Sequence, residues 1–232
     1  FHFDNENGKE VIIPPITDPA IGDRTHTRDP KIWRGKDAWY LVLGSTINKE
    51  HGEVLFYRSE DLHTWKFVNR AEKSSEYGWM WECPDYFETR GGKVLILSAM
   101  NLLKSDEKEK NQSICFSVEF DEEACSIQIP DEYTFLDYGR DLYAPQTTTD
   151  KDGNRILSAW VRMPKATDDG WIGMFCSPRI VDVENGHIFF RMHPNIRNAY
   201  TREITDPAQA SPEGYMAVLD LNEGERLDIG GF

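Results

Sequence analysis

The chain has 232 residues, 39% hydrophobic and 12% aromatic, which is enough apolar material for a substantial core and too little bias for extended disorder. Its formal charge of −14 argues against nucleic acid or an anionic membrane as a partner, since both require a positive face. No apolar run approaches the roughly 20 residues that span a bilayer, and the longest, Val94 to Met100, reads as one buried strand.

At the N-terminus, Phe1-His2-Phe3-Asp4 carries neither the charged nor the apolar region of a signal peptide, and no initiator Met. The chain is therefore expected to begin downstream of the start of its gene, with the compartment open and only a lean to the cytoplasm. Asp29-Pro30-Lys31-Ile32-Trp33 then opens a strand, followed by the turn Arg34-Gly35-Lys36-Asp37 and the apolar run Ala38 to Leu43. The same order returns at Pro84 to Phe87, with Thr89-Arg90-Gly91-Gly92 and Val94 to Leu97. It returns again at Ala144 to Thr147, with Asp150-Lys151-Asp152-Gly153 and Ile156 to Trp160.

Further strands are predicted at Glu53 to Arg58, Ser113 to Phe120, Asn154 to Val161, Trp171 to Cys176 and His187 to Met192, all rich in β-branched or aromatic residues. No segment keeps a 3.6-residue period for three turns. The repeated prolines lie 54 and 61 residues apart. Periods of about 40 to 50 residues with four strands each mark propeller blades, so an all-β propeller with long loops is expected. Lys104 to Lys110, where lysines alternate with acids, reads as a solvated loop.

Beyond Asn198 the pattern weakens. Asp206-Pro207 and Ser211-Pro212 break the chain before Tyr215 to Leu221 resumes as a strand. The expected organisation is a partial propeller domain over 1–200 and a linker with the first strand of another β element over 201–232. The four cysteines show no C-x-x-C spacing and no paired histidines nearby, so neither a metal nor a cofactor is expected. Cys115 and Cys125 facing each other across a hairpin stays open beside the favoured alternative, free buried thiols.

The chemistry starts from one acidic residue beside each of the first two prolines. In a propeller the first strand of every blade lines the central channel. Asp29 and Glu82 are thus expected at equivalent positions in one pocket, the minimum equipment for acid–base work on a glycosidic bond. The plainer alternatives are that Asp29 is a turn residue before proline and that Glu82 is an arginine's partner. Wedged between Trp81 and Cys83, with Trp79 close upstream, Glu82 is expected to lose hydration, which raises a carboxyl pKa as a general acid requires.

In order, Thr27-Arg28-Asp29-Pro30-Lys31, Trp79 to Asp85, Asp141 to Thr147 and Arg155 to Trp160 resemble the motifs of glycoside hydrolase family 32. These are the β-fructofuranosidases: invertases, levanases, inulinases and sucrose-6-phosphate hydrolases. Tyr57 to Trp65 is similar to the family's blade-ending S-x-D-L-x-x-W, and Ser177-Pro178-Arg179 to its late Pro-Arg element. The resemblance covers residues 24 to 200, and its specificity lies in the Arg-Asp-Pro and Glu-Cys motifs occurring together.

The resemblance implies a five-bladed propeller followed by a β-sandwich beginning in 201–232. It also implies a retaining hydrolysis that releases fructose from sucrose, sucrose phosphate or fructans. By resemblance Glu82 is the acid/base and Asp29 the transition-state stabiliser, with Arg28 fixing the carboxylates. Trp81, Cys83, Tyr143, Gln146 and Trp160 join Arg28 in binding substrate, core packing being an equal alternative for Tyr143, Gln146 and Trp160. The family's nucleophile is the first Asp of an upstream W-M-N-D-P-N-G element, which has no counterpart here; Asp4 lies too close to Asp29 and reads as a turn residue. A retaining double displacement needs a nucleophile about 5 Å from the acid, so a partial or inactive chain lacking the first blade is expected. The alternatives are a non-catalytic carbohydrate-binding propeller, a related five-bladed glycosidase, or a transfructosylase. An open propeller would leave unpaired sheet edges that favour self-association.

Overall fold

Three antiparallel sheets, each begun by one of the proline segments, hold most of the strand residues described. The computed structural model describes residues 10–106, 109–139, 141–206, 209, 216 and 222–225, and its chain forms two compact units, 1–191 and 192–232. The first sheet runs in chain order through β1 (Arg28–Arg34), β2 (Trp39–Ile47), β3 (His51–Ser59) and β4 (Lys66–Glu72). In the second, β5 (Met80–Glu88), β6 (Lys93–Met100) and β7 (Gln112–Val118) are followed outward by β10 (Thr134–Phe135). Between β7 and β10 stands a small hairpin of β8 (Phe120–Asp121) and β9 (Ser126–Ile127). The third sheet has the order β11 (Leu142–Thr149), β12 (Arg155–Val161), β14 (Arg179–Glu184), β15 (His187–Met192), with β13 (Met174–Phe175) paired to β12.

These sheets stack face to face as blades, because strand side chains alternate between two faces. On β6, Leu95 and Leu97 join Val42, Val54, Phe56 and Trp81 in a core between the first and second blades. Their neighbours Val94 and Ile96 join Leu157, Ala159 and Val181 in a core between the second and third. Burying each such side chain contributes about 1.5–3 kcal/mol. The first blade's other face is covered by Ile13, Ile16 and Ile21 of the segment preceding β1. Cys115 belongs to the second core and Cys125 to the first, which is why they do not bridge; all four cysteines are free thiols.

Turns close where the sequence places Gly, Asp and Asn. Gly35 N donates to Ala38 O at 2.9 Å, Thr89 N to Gly92 O at 2.8 Å and Asp150 N to Asn154 O at 3.0 Å. The Ser59 to Trp65 segment is one hydrogen-bonded corner: Asp61 Oδ1 accepts from the amides of His63 and Thr64, and Trp65 Nε1 donates to Leu62 O at 3.0 Å. At Gly44 a Cβ would stand 2.0 Å from Trp81 O, so only glycine lets the second blade approach the first this closely.

The strand expected over Trp171 to Cys176 shrinks to the two residues of β13. Gly170 and Gly173 take φ of 86° and 85°, and Trp171 and Ile172 stay exposed, so no buried face recruits the rest. In the second unit, α1 (Pro194–Arg197) is capped by His193, whose Nδ1 accepts from Asn195 N at 3.1 Å. The strand expected at 215–221 lies outside the described residues, Met216 apart, as does Asp4. Among the described residues no helix is long and apolar enough to cross a membrane, and no group of three or more His, Cys, Asp or Glu stands where it could hold a metal.

Candidate active site

Each innermost strand is broken by a β-bulge at its proline. The register shifts between Arg28 and Lys31 on β1, between Glu82 and Asp85 on β5, and between Tyr143 and Gln146 on β11. In every bulge the residue before proline has a positive φ: 61° at Asp29, 48° at Cys83 and 50° at Ala144. Proline already restricts its predecessor, and non-glycine residues in this region cost of order 1 kcal/mol each, persisting where the surroundings enforce them. Bulges re-aim side chains, and these three turn theirs toward one another.

Aligned on the prolines, the equivalent residues are Arg28, Glu82 and Tyr143 entering the bulges, and Lys31, Asp85 and Gln146 leaving them. This corrects the expectation that Asp29 and Glu82 are equivalent: Asp29 corresponds to Cys83, one position along. The two carboxylates meet nonetheless. Arg28 donates to Glu82 Oε1 from Nε at 3.0 Å and from Nη2 at 2.7 Å, and Tyr143 Oη donates to Oε2 at 2.8 Å. Asp29 Oδ2 accepts from Cys83 N at 2.9 Å, with Cys83 Sγ at 3.5 Å. Both oxygens of Glu82 are thus held, one from each flanking blade, and the arginine bonds are charge-assisted and directional. The Arg28 and Glu82 side chains keep 33% and 20% of their exposure, so this pair stands at a mouth open to solvent.

Burial, and then the Asp29 charge, push the Cys83 thiol up to about 12, so it faces Asp29 as a neutral donor. Burial and the bond to Glu82 likewise raise Tyr143, which remains a phenol. Ser98 Oγ accepts from Ala144 N at 3.2 Å, and the Arg162 guanidinium lies 5.0 Å from the centre of the Tyr143 ring.

The remaining sequence-predicted residues divide. Trp81 is fully buried in the core between the first two blades, donating from Nε1 to Tyr77 O at 2.8 Å, and so does not line the mouth. Successive residues on a strand face opposite ways; the dehydration of Glu82 expected from Trp81 fails for the same reason, and Arg28 and Tyr143 are its neighbours instead. Gln146 is exposed, its Oε1 accepting from Lys31 Nζ at 3.3 Å. Trp160 lies opposite Tyr143 in the β11–β12 register and is 45% exposed, so it is not a core residue. Gly173 accommodates its indole, since a Cβ there would stand 2.2 Å from Trp160 Nε1.

A second layer escaped the sequence reading. Lys31 Nζ donates to Asp85 Oδ2 at 3.1 Å and to Thr147 O at 2.6 Å, while Thr147 N donates to the same Asp85 oxygen at 2.6 Å. The signal was present: Lys31, Asp85 and Gln146 each directly follow one of the three prolines.

The family model for the N-terminal domain of glycosyl hydrolases family 32 matches residues 1–194. A sucrose-6-phosphate hydrolase of Vibrio alginolyticus is 32% identical over 216 residues, covering 88% of this chain and 45% of the relative. One of Staphylococcus xylosus is 32% identical over 231 residues, covering 92% and 47%. The chain therefore spans about half the length of the curated relatives it matches. Among solved structures, a β-fructofuranosidase of Bombyx mori is 35% identical with a TM-score of 0.65, over 74% of this chain and 38% of that one. A point mutant of the same enzyme in complex with sucrose gives a TM-score of 0.66 at the same identity and coverage.

Proposed function

The chain belongs to glycosyl hydrolases family 32, and from that premise we propose that it carries the acid/base side of a site that releases fructose from sucrose, sucrose phosphate or fructan with retention. The observation that carries this reading is the Glu82 carboxylate held between Arg28 and Tyr143 while Asp29 is anchored beside it on the Cys83 amide. Glu82 protonates the leaving glycosidic oxygen, and Arg28 and Tyr143 orient the carboxyl and supply donors to the carboxylate left behind. The same carboxylate then takes a proton from the water that completes hydrolysis. Asp29, fixed by one oxygen, bonds fructosyl hydroxyls and stabilises positive charge on the oxocarbenium-like transition state. Tyr143, Gln146 and the exposed face of Trp160 line the sugar site with Cys83, and Trp81 supports it from the core. The proposed end of the propeller part stays near residue 200, a few residues past the first compact unit, with 201–232 leading toward a β-sandwich.

Both oxygens of Glu82 already accept hydrogen bonds within the chain, and that observation favours a second reading, a carbohydrate-binding propeller that holds fructose without cleaving it. Calorimetric titration with fructose and sucrose, alongside assay of fructose release from sucrose, sucrose 6-phosphate and inulin, separates the two. On the first reading Glu82→Gln leaves binding nearly intact and lowers turnover by about 10²–10⁴-fold. Binding with no release, even by a protein extended upstream of Phe1, selects the second reading. Equal loss of binding and turnover in Glu82→Gln would assign Glu82 to structure and remove the first reading.

A further inference from the structure

We propose that Asp85, tied to Lys31 and to the Thr147 backbone, is a positioning residue: a strut that locks the three inner-strand bulges together and thereby sets where Glu82 and Asp29 stand. Asp85 is fully buried, and its Oδ2 accepts from the Lys31 ammonium of the first blade and the Thr147 amide of the third. Lys31 closes the triangle by donating to Thr147 O and Gln146 Oε1. One carboxylate oxygen on the middle blade therefore joins both neighbours.

The connection to the site is short and stiff. Between Glu82 and Asp85 stand only Cys83, at φ 48°, and Pro84, whose ring fixes its own φ. Between Arg28 and Lys31 stand Asp29, at φ 61°, and Pro30; between Tyr143 and Gln146 stand Ala144, at φ 50°, and Pro145. With so little torsional slack, a shift of the lower layer moves the upper one. Packing alone does not call for these residues, because a buried ion pair is often no more stabilising than apolar side chains of similar volume. What the pair adds is direction, since its hydrogen bonds exist at one relative placement of the three blades.

The test replaces the pair while sparing the volume. In the full chain, the double variant Lys31→Met/Asp85→Leu is compared with Asp85→Asn, which keeps an acceptor for the Thr147 amide, and with Lys31→Arg, which keeps the charge. Thermal unfolding reports the fold, ¹³C NMR follows the titration of the Glu82 carboxyl, and calorimetry gives fructose affinity. The expectation is that the double variant unfolds near the parent temperature, yet its Glu82 titration midpoint moves and fructose binds about tenfold more weakly or worse, displacements near 1 Å having effects up to about 10²-fold. Lys31→Arg should restore much of both. An unmoved Glu82 titration with unchanged fructose affinity in a folded double variant overturns the proposal, leaving Asp85 as packing. If the double variant does not fold, Asp85→Asn decides by the same two readouts. Only the sugar readout rests on the functional reading. If the parent chain binds no fructose, that reading fails by itself, and the Glu82 titration still decides the strut.

Discussion

Two fully buried carboxylates, one in the first blade and one in the second, meet opposite surroundings. Asp85 is bridged by the Lys31 ammonium and the Thr147 amide. Among the described residues, neither oxygen of Glu53 on β3 has a well-formed hydrogen bond, and the Arg70 guanidinium is 3.6 Å away. Ser45, its cross-strand partner, is engaged with Thr27 Oγ1 at 2.9 Å and with the Asp23 amide at 3.3 Å. Burial pushes the Glu53 carboxyl up to about 7; the nearby Ser45 hydroxyl and the Arg70 charge pull it back, and the charges of Glu72 and Asp23 add to the rise. Burial raises Asp85 as well, but Lys31 and the Thr147 amide oppose it. The difference teaches that depth does not set the fate of a buried acid; the supply of aligned donors does. Blade meeting blade supplies them at Asp85. Glu53 lies on the face covered by the segment before β1, whose contacts there are mainly isoleucines.

The largest expected effect comes from breaking the bridged carboxylate, whose Oδ2 takes both donors while its buried Oδ1 accepts none among the described residues. Asp85→Ala leaves Lys31 without its counter-charge and should lower stability by about 3–5 kcal/mol in urea denaturation; a loss below about 1 kcal/mol would erase the contrast. Next comes the pH dependence of the parent chain. Glu53 keeps its proton in the folded state up to about 7, whereas the unfolded chain releases it near 4.5. The folded form thus binds more protons between these values, and its stability, full below the lower one, falls as pH rises through the upper. Thermal unfolding followed across that window should show a declining midpoint, and a rising one would contradict the uncompensated burial.

Glu53→Gln sharpens the comparison further by removing the titrating group. It should flatten that slope and leave the variant more stable than the parent above the window by about 1–2 kcal/mol. The smallest effect belongs to Arg70→Ala, which removes a cation 37% exposed and should steepen the slope by only about 0.5 kcal/mol.

Much of this contrast lies beyond one-dimensional reading. Glu53 falls inside a strand expected from its β-branched and aromatic neighbours, yet nothing in Gly52-Glu53-Val54 says that its oxygens lack donors. Lys31 and Asp85, charged residues after prolines, read as surface until the bulges bring them under the mouth. Asp29 and Glu82 were legible as a pair because each accompanies a repeated proline. Their offset by one position is not, since acidity alone pairs them while the prolines set Asp29 opposite Cys83. Trp81 is adjacent to Glu82 in sequence but not in space, because on a strand adjacent side chains face apart.

By itself the sequence determined the all-β character, the proline-led repeat with its Gly-bearing turns, and the residues that enter the bulges. These follow from local stiffness: proline rings, glycine turns and β-branched runs restrict the backbone wherever they occur. Only the tertiary structure decided which donor meets which carboxylate. Those bonds join residues 54 to 62 positions apart, and whether a buried charge is satisfied depends on the stacking of whole blades, which no local preference encodes.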